Sequence, residues 1–303
     1  MFNRLIAATL PLLPQRFVWF FSRNYIAGET VDSAMAACRA LNADGVKTTI
    51  DILGEFIDNL ADAEKNRDQY LALIDTAESH GIDGNYSIKP TMFGLLLDVE
   101  ACYAHVRQIV ARAAHYGNFI RIDMEDSDCV DREIALFRRL KAEFPGNVGL
   151  VLQAYLRRTF DDLKAMLDLN TPSVPVNFRL CKGIYAEPAR IAFQRHDEIN
   201  KHYLEDLAFM FENGIYPGIA THDRALVEGA LALIARCNVP RDRYEFQMLY
   251  GVAPELRRTI VEAGHAMRVY VPYGSHWFGY ATRRLKENPK LVNSIIKSLL
   301  FKG

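Results

Sequence analysis

Short runs with strand character alternate with helical stretches along most of this chain, and this alternation limits its possible folds more than any other feature. The runs are brief, most are rich in β-branched or aromatic residues, and turn-forming residues bound them. Eight such runs occur, at residues 47–53, 86–89, 118–124, 148–153, 176–182, 217–221, 244–249 and 267–272. Between them, apolar residues recur at three- and four-residue spacing, as in residues 56–79 and 98–115, which predicts amphipathic helices.

Eight strands that alternate with helices predict an α/β fold, a (β/α)8 barrel of the TIM type. A doubly wound parallel sheet would alternate in the same way. However, the chain contains no G-x-G-x-x-G and no G-x-x-x-x-G-K-[ST], the phosphate-binding signatures usual in doubly wound folds, so the barrel is favoured. We therefore expect an N-terminal helical arm over residues 1–46 and a barrel over residues 47–303.

The composition is that of a globular protein whose function lies in a local site. Half of the residues are apolar and 24% are charged, which is enough apolar material for a large core. The 36 Lys and Arg residues balance 37 Asp and Glu residues, and the net charge is −1. The molecule as a whole therefore carries no field that would attract nucleic acid.

Cysteine usage and the N-terminal residues bear on location. The five cysteines are scattered and form no C-x-x-C, which favours a reducing compartment and predicts a cytoplasmic protein. Pro11 and Pro14 interrupt the apolar N-terminal run, so we interpret it as an amphipathic arm rather than a cleaved signal.

Polar and charged residues stand where the predicted strands end. In a (β/α)8 barrel the active site lies at the C-terminal ends of the strands, where polar side chains would be costly if they had no role. In chain order the polar residues at the strand ends are Asp51, Glu55, Lys89, Arg121, Asp123, Glu125, Gln153, Tyr155, Arg179, Lys182, Thr221, His222, Gln247, Tyr270 and Tyr273, and the apolar Leu249 stands beside them at the end of the seventh strand.

Two kinds of site compete for this ring of residues. A divalent metal in a hydrolase or isomerase would use the four oxygen and nitrogen ligands Asp51, Asp123, Glu125 and His222. A non-catalytic or catalytic site for an anionic ligand would use the cations Lys89, Arg179 and Lys182. The strand ends are rich in cations and amides, and no H-x-H or H-E-x-x-H occurs, so we favour the anionic ligand and predict no metal.

The segment after the last strand adds two further cations. If residues 273–289 are helical, Tyr280 lies three residues before Arg283 and four before Arg284, so the three can share one face. Facing the strand ends, they would form a clamp for a carboxylate. A solvated basic helix end is the alternative interpretation.

The residues at these positions match a known family, and the chain resembles the monofunctional bacterial proline dehydrogenases along essentially the whole barrel. The matching segments are TIDILGE (49–55), YSIKPT (86–91), RIDMEDS (121–127), VLQAYLRR (151–158), FRLCKGIY (178–185), ATHD (220–223), YEFQMLYG (244–251) and YVPYGSHW…YATRRL (270–285). Their order and barrel spacing make the resemblance highly specific.

The resemblance implies a fold, a cofactor and a reaction. The family fold is a distorted (β/α)8 barrel that binds FAD without a covalent link. The reaction oxidises L-proline to Δ1-pyrroline-5-carboxylate by hydride transfer from C5 of proline to N5 of FAD, and the electrons pass to a membrane quinone. The chain is therefore expected to be a proline dehydrogenase of proline catabolism.

The resemblance also implies roles for individual residues. The groups that bind the proline carboxylate would be Lys89, Arg283 and Arg284, and the wall against the proline ring would be Leu249, Tyr270 and Tyr280. Asp123 would lie beneath the substrate, hydrogen-bonded to Lys89, and Arg179 would lie near flavin N5. Contacts with FAD would come from Asp123, Met124, Gln153, Arg179, Lys182, Gly183, Tyr185, Thr221, His222 and Gln247. Glu55 and Arg283 would pair as a gate over the site.

The chain departs from the family pattern at two positions near the predicted pocket. Ile184 stands where the family often has Ala, and Cys181 where it often has Val, which leaves the fine specificity of the pocket open. Residues 290–302 carry spaced Leu and Ile with lysines between them. Such a segment packs on the barrel or makes peripheral contact with a membrane surface.

Overall fold

The computed structural model describes Trp19 and residues 23–280. Within this part of the chain the β-strands are β1 Lys47–Ile52, β2 Gly84–Ile88, β3 Ile120–Ile122, β4 Val148–Gln153, β5 Asn177–Cys181, β6 Tyr216–Ala220, β7 Glu245–Leu249 and β8 Met267–Tyr273. The α-helices whose two ends are both described are α1 Val31–Ala43, α2 Leu60–Ser79, α3 Val99–His115, α4 Val130–Glu143, α5 Thr159–Ala165, α6 His196–Glu212, α7 Arg224–Arg236 and α8 Pro254–Glu262.

The eight strands form a closed parallel barrel in chain order. β1 lies between β2 and β8, and Ile50 pairs with Tyr86 on one side and with Val271 on the other. All strands are parallel, so their C-terminal ends meet at one mouth of the barrel. The predicted (β/α)8 barrel is confirmed.

Alternate strand residues face opposite sides of the barrel wall. Apolar side chains such as Ile50, Ile88 and Leu150 are fully buried between the strands and the surrounding helices. At intervening positions, polar side chains point into the barrel and bond across it, as Arg179 of β5 does with Gln247 of β7. The barrel interior is therefore a hydrogen-bonded polar core, which is unusual for a fold whose interior is normally filled by Val, Ile and Leu.

Helix α1, from the predicted N-terminal arm, packs against β1 and β8. It begins at a capping box in which the Thr30 hydroxyl accepts a hydrogen bond from the Ser33 backbone nitrogen at 3.3 Å. Its Met35 and Cys38 side chains are fully buried against the barrel. The described end of the arm is thus a packed element of the barrel wall, and residues 1–18 lie outside the described part.

Helix α2 begins four residues later than its apolar spacing predicts. The helix starts at Leu60, where the Asn59 side chain accepts from the backbone nitrogen of Asp62 at 3.0 Å. Phe56, the predicted first residue, has φ 41°, a left-handed conformation that a helix does not use. Its backbone nitrogen donates to Thr91 Oγ1 at 3.2 Å, so the segment forms a loop at the barrel mouth.

After β8, residues 274–276 form a turn and residues 277–280 are helical, which is the described part of the range 273–289 considered for a helix. The predicted clamp residues Arg283 and Arg284 lie outside the described residues, and so do residues 290–302. Among the described residues, no helix combines the length and the apolar character needed to cross a bilayer.

Candidate active site

A cavity of about 530 Å³ opens at the C-terminal ends of the strands. It collects side chains that the sequence placed at strand ends or that the family resemblance singled out. The predicted site residues that line it are Glu55, Lys89, Asp123, Met124, Gln153, Arg179, Lys182, Gly183, Tyr185, Thr221, His222, Gln247, Leu249, Tyr270 and Tyr280. The residues to which the family resemblance gives a role, within the described part of the chain, therefore face one cavity. Five further strand-end residues, Asp51, Arg121, Glu125, Tyr155 and Tyr273, do not line it.

Asp123 organises the floor of this cavity. Its Oδ1 accepts hydrogen bonds from Ser87 Oγ and from Arg179 Nη1, each at 2.8 Å, and its Oδ2 accepts from the Tyr270 hydroxyl at 2.9 Å. The guanidinium carbon of Arg179 lies 5.2 Å from the centre of the Tyr270 ring, within cation–π range. Side chains of β2, β3, β5 and β8 are thereby held in one arrangement.

The predicted hydrogen bond between Asp123 and Lys89 is wrong. Lys89 Nζ donates instead to Asp51, with both carboxylate oxygens at 3.3 Å. The physical reason is competition among donors, since Arg179, Ser87 and Tyr270 already occupy both oxygens of Asp123. Asp51 lies at the end of the neighbouring β1 and supplies the second carboxylate.

The Lys89–Asp51 pair is buried at the edge of the cavity, with Asp51 0% and Lys89 9% exposed. Burial raises the pKa of Asp51 to about 6, against the lowering effect of the Lys89 charge. Burial alone would lower the pKa of Lys89, but the negative charges of Asp51 and Asp123 outweigh it and raise that pKa. Both groups are therefore charged at pH 7, and Lys89 presents a positive charge to the cavity.

Arg179 is held from two sides. Its Nη1 donates to Asp123, and its Nε donates to Gln247 Oε1 at 2.6 Å. The side chain is 7% exposed, so little water competes for it. Its guanidinium is thus fixed at the inner end of the cavity.

Another part of the cavity wall is formed by Gly183, two residues after the end of β5, and by Gln153, the last residue of β4. Gly183 has φ 107°, a conformation that favours glycine, and a Cβ there would clash with the Tyr155 ring. The side-chain amide of Gln153 donates to the carbonyl oxygen of Glu125 at 2.8 Å, which fixes its orientation. Backbone and amide groups are thereby presented to a ligand in fixed positions.

Lys182 and His222 stand near the ends of β5 and β6. Lys182 Nζ donates to Asp223 Oδ2 at 2.6 Å and contacts His196 Nε2 at 2.9 Å. Burial alone would raise the pKa of Asp223, but hydrogen bonds from Lys182 and Asn200 lower it to about 2. The His222 ring accepts from the backbone nitrogen of Leu249 at 2.8 Å through Nε2, which ties β6 to β7.

The four residues considered as metal ligands have other partners. Asp51 bonds to Lys89 and Asp123 to Arg179, Glu125 accepts from Thr91, and His222 accepts from Leu249. No group of three or more His, Cys, Asp or Glu side chains within the described residues is arranged to hold a metal ion. Within the described residues, these four side chains are therefore held by hydrogen bonds to protein groups.

Three residues that hydrogen-bond to predicted site side chains are not themselves predicted from the sequence. Ser87 bonds to Asp123, Asp223 bonds to Lys182, and Thr91 bonds to Glu125 through both its backbone nitrogen and its hydroxyl. Ser87 carried a signal, because it lies two residues before Lys89 on the same face of β2. Asp223 directly follows His222, but it is also the N-cap of α7, a position where Asp is common for structural reasons alone.

A second cavity of about 830 Å³ adjoins the first. It lies between the loop after β1, helix α2 and the residues after β8, and it shares Glu55, Lys89 and Tyr280 with the first cavity. Glu55, the predicted gate residue, therefore stands between two cavities. Its predicted partner Arg283 lies outside the described residues.

Comparison with known proteins gives a consistent result. The model of the proline dehydrogenase family matches residues 34–295. Proline dehydrogenase 1 of Bacillus subtilis subsp. natto is 36% identical over 281 residues, which cover 93% of this chain and 91% of that protein. Proline dehydrogenase of Deinococcus radiodurans is 34% identical over 292 residues, 95% of this chain and 93% of that protein.

A solved structure resembles the barrel closely. It is proline utilization A from Bdellovibrio bacteriovorus, inactivated by N-propargylglycine, with a TM-score of 0.82 and 26% sequence identity. The match covers 88% of this chain and 32% of that one, so this chain spans about a third of that larger protein.

Proposed function

The chain belongs to the proline dehydrogenase family, and from that premise we propose that it oxidises L-proline to Δ1-pyrroline-5-carboxylate in the 530 Å³ cavity at the barrel mouth. The observation that carries the proposal is the convergence of side chains on this cavity. Lys89 supplies a charge for the substrate carboxylate, and Tyr270 and Leu249 supply a wall for the proline ring. Arg283 and Arg284 are proposed to complete the carboxylate clamp.

The cofactor we propose is non-covalent FAD. The donor chemistry of the cavity fits it, because the Lys182 ammonium suits an anionic diphosphate and the donors of Gln153 and Arg179 suit the polar edge of a flavin. Bound FAD would accept a hydride from C5 of proline at its N5. The other residues we assign to FAD are Met124, Gly183, Tyr185, Thr221, His222 and Gln247, all of which line the same cavity.

The protein's own contribution is orientation and charge. Lys89 fixes the carboxylate end of proline, while Tyr270, held by its hydrogen bond to Asp123, packs against the ring. Both side chains are fixed before the substrate arrives, so little ordering entropy remains to be lost on binding. Arg179, held by Asp123 and Gln247, places a fixed positive charge where negative charge develops during reduction.

We propose that a membrane quinone accepts the electrons and that the protein reaches it by peripheral contact from the cytoplasmic side. Residues 290–302, with apolar residues and lysines interspersed, suit such contact. Co-sedimentation with anionic liposomes, in both oxidised and reduced states, tests this. If the protein stays in the supernatant in both states, the membrane contact is wrong.

One spectrum tests the reaction. The purified protein should be yellow, and its flavin absorbance should bleach when L-proline is added without oxygen. L-alanine, which has the carboxylate but no ring, serves as the control and should leave the spectrum unchanged. A colourless protein that FAD cannot reconstitute would contradict the proposal.

A further inference from the structure

A chain of three buried polar side chains runs down from the cavity into the barrel. Arg179 Nε donates to Gln247 Oε1 at 2.6 Å, and Gln247 Nε2 donates to Glu245 Oε1 at 2.6 Å. The three residues are 7%, 5% and 4% exposed. Glu245 lines neither of the two cavities described above, and nothing in the proposed reaction uses it directly.

Glu245 is a carboxylate that can only accept hydrogen bonds. Arg268 Nε donates to the same Oε1 at 2.7 Å, and Arg268 Nη1 donates to the Thr48 carbonyl oxygen at 2.8 Å. Burial alone would raise the pKa of Glu245, but the charge and hydrogen bond of Arg268 lower it. The carboxylate therefore keeps its charge inside the barrel.

This charge determines which way the Gln247 amide points. A primary amide has one donating and one accepting end, the guanidinium can only donate, and a carboxylate can only accept. The reverse orientation would set the NH2 group of Gln247 against Arg179 and its oxygen against Glu245, which gives two repulsive contacts. The position leaves little other room, since a Cβ on Gly218 would clash with the Gln247 amide.

We propose that Glu245 is a positioning residue, which acts through Gln247 to hold the Arg179 guanidinium in its reactive orientation. The inference rests on the proposed function, in which Arg179 stabilises the reduced flavin. Asp123 holds Arg179 from the cavity side, and the Glu245–Gln247 pair holds it from inside the barrel.

The test compares Glu245→Gln with Glu245→Asp, in which residue 245 keeps a carboxylate that can only accept hydrogen bonds. In Glu245→Gln, residue 245 can donate or accept, so the Gln247 amide loses its single orientation. We expect kcat to fall about tenfold with KM for proline within about twofold of wild type. We also expect a tenfold loss in the preference of the protein for binding reduced rather than oxidised FAD. For a two-electron couple, this loss makes the midpoint potential of the bound flavin about 30 mV more negative.

Glu245→Asp should keep both values closer to wild type than Glu245→Gln does, because its carboxylate still only accepts and so keeps the Gln247 amide in one orientation. A merely structural role for Glu245 predicts the opposite, because Asp removes a methylene group from the packed interior whereas Gln keeps the size of Glu. The matched control is Thr49→Val, which breaks the buried 2.5 Å bond to Asn85 in the same barrel interior and should lower stability without changing the potential.

The outcomes separate this inference from the proposed function. Wild-type protein that proline does not reduce would overturn the proposed function and, with it, this inference. A functional wild type with an unchanged potential and kcat in Glu245→Gln, or a Glu245→Asp variant worse than Glu245→Gln, would overturn the inference alone. If Glu245→Gln does not fold, Arg268→Gln tests the same link, because Glu245 without the Arg268 charge can take up a proton and donate to Gln247, and it should shift the potential in the same direction.

Discussion

Two cations and two carboxylates share the floor of the cavity, and at the residue scale the structure sorts them into two pairs. Arg179 binds Asp123 at 2.8 Å, and Lys89 binds Asp51 at 3.3 Å. Asp51 is fully buried, whereas Lys89 lines the cavity. Lys89 is thus anchored from behind by one carboxylate and can bind another, that of a substrate, in front.

Replacement of Lys89 by Met should therefore weaken proline binding. Loss of a charge-assisted hydrogen bond costs about 1.5–3 kcal/mol, which predicts a 10- to 100-fold higher KM for proline in steady-state assays with a dye acceptor. Lys65→Met is the matched control, since Lys65 lines only the adjoining cavity and pairs with the exposed Asp62. A KM within twofold of wild type for Lys89→Met would show that Lys89 does not bind the carboxylate.

At the scale of elements, the segment that follows β5 shapes the cavity wall. The ladder between β4 and β5 continues past the strand ends, because the backbone nitrogens of Ala154 and Tyr155 donate to the carbonyl oxygens of Cys181 and Lys182, each at 2.8 Å. Gly183 then turns the chain with a positive φ directly against the Tyr155 ring. The turn depends on a residue without a side chain.

Gly183→Ala should disturb this turn. The new methyl group would collide with Tyr155 and the positive φ would be strained, at a combined cost of about 1–3 kcal/mol in unfolding free energy. We also expect less flavin per protein after purification, measured by visible absorbance. Gly146→Ala is the control, because a Cβ at Gly146 meets open space, and it should behave as wild type. Wild-type stability and flavin content in Gly183→Ala would exclude a structural requirement for glycine.

Element boundaries show where local sequence is sufficient. Strand β4 was predicted at its observed bounds, residues 148–153, because its apolar run is continuous and turn formers flank it. Helix α2 was predicted to begin at Phe56 and begins at Leu60, because the Asn59 cap and the left-handed Phe56 outweigh apolar spacing. Phe56 and Leu60 are themselves 47% and 38% exposed, so the apolar spacing at the start of this stretch does not mark a buried helix face.

At the scale of the whole molecule, buried carboxyl groups link stability to pH. Burial raises the pKa of Asp51 to about 6 and those of Glu125 and Asp206 to about 7. In the unfolded chain such groups titrate near 4. Between these values the folded protein binds protons at these groups that the unfolded chain does not, so these groups should add to the free energy of unfolding as the pH falls from 8 to about 5.

Asp206→Asn isolates one of these groups. Oδ2 of Asp206 has no hydrogen-bond partner within the described residues, so its charge is poorly compensated. In urea unfolding, the variant should gain stability over wild type at pH 8, and this advantage should shrink by about 3 kcal/mol at pH 5. Asp197→Asn is the control, since Asp197 is exposed and paired with Arg195. An Asp206→Asn effect that is equal at both pH values would contradict the raised pKa.

The sequence by itself determined the barrel, the order of its strands and many of the residues that face the cavity. The barrel and its mouth follow from local patterns, because strand runs and helical spacing repeat in order and the ends of parallel strands must meet at one mouth. Lining residues such as Gly183 and Tyr280 came from the family resemblance, whereas Asp51, Arg121, Glu125, Tyr155 and Tyr273 stand at strand ends without lining the cavity. Only the tertiary structure decided which charge pairs with which. Lys89 and Asp51 are 38 residues apart and Arg179 and Asp123 are 56 apart, so barrel register and the competition of donors for each carboxylate set the partners. The same register brings Glu245, Gln247 and Arg179 into line, which no local pattern could reveal.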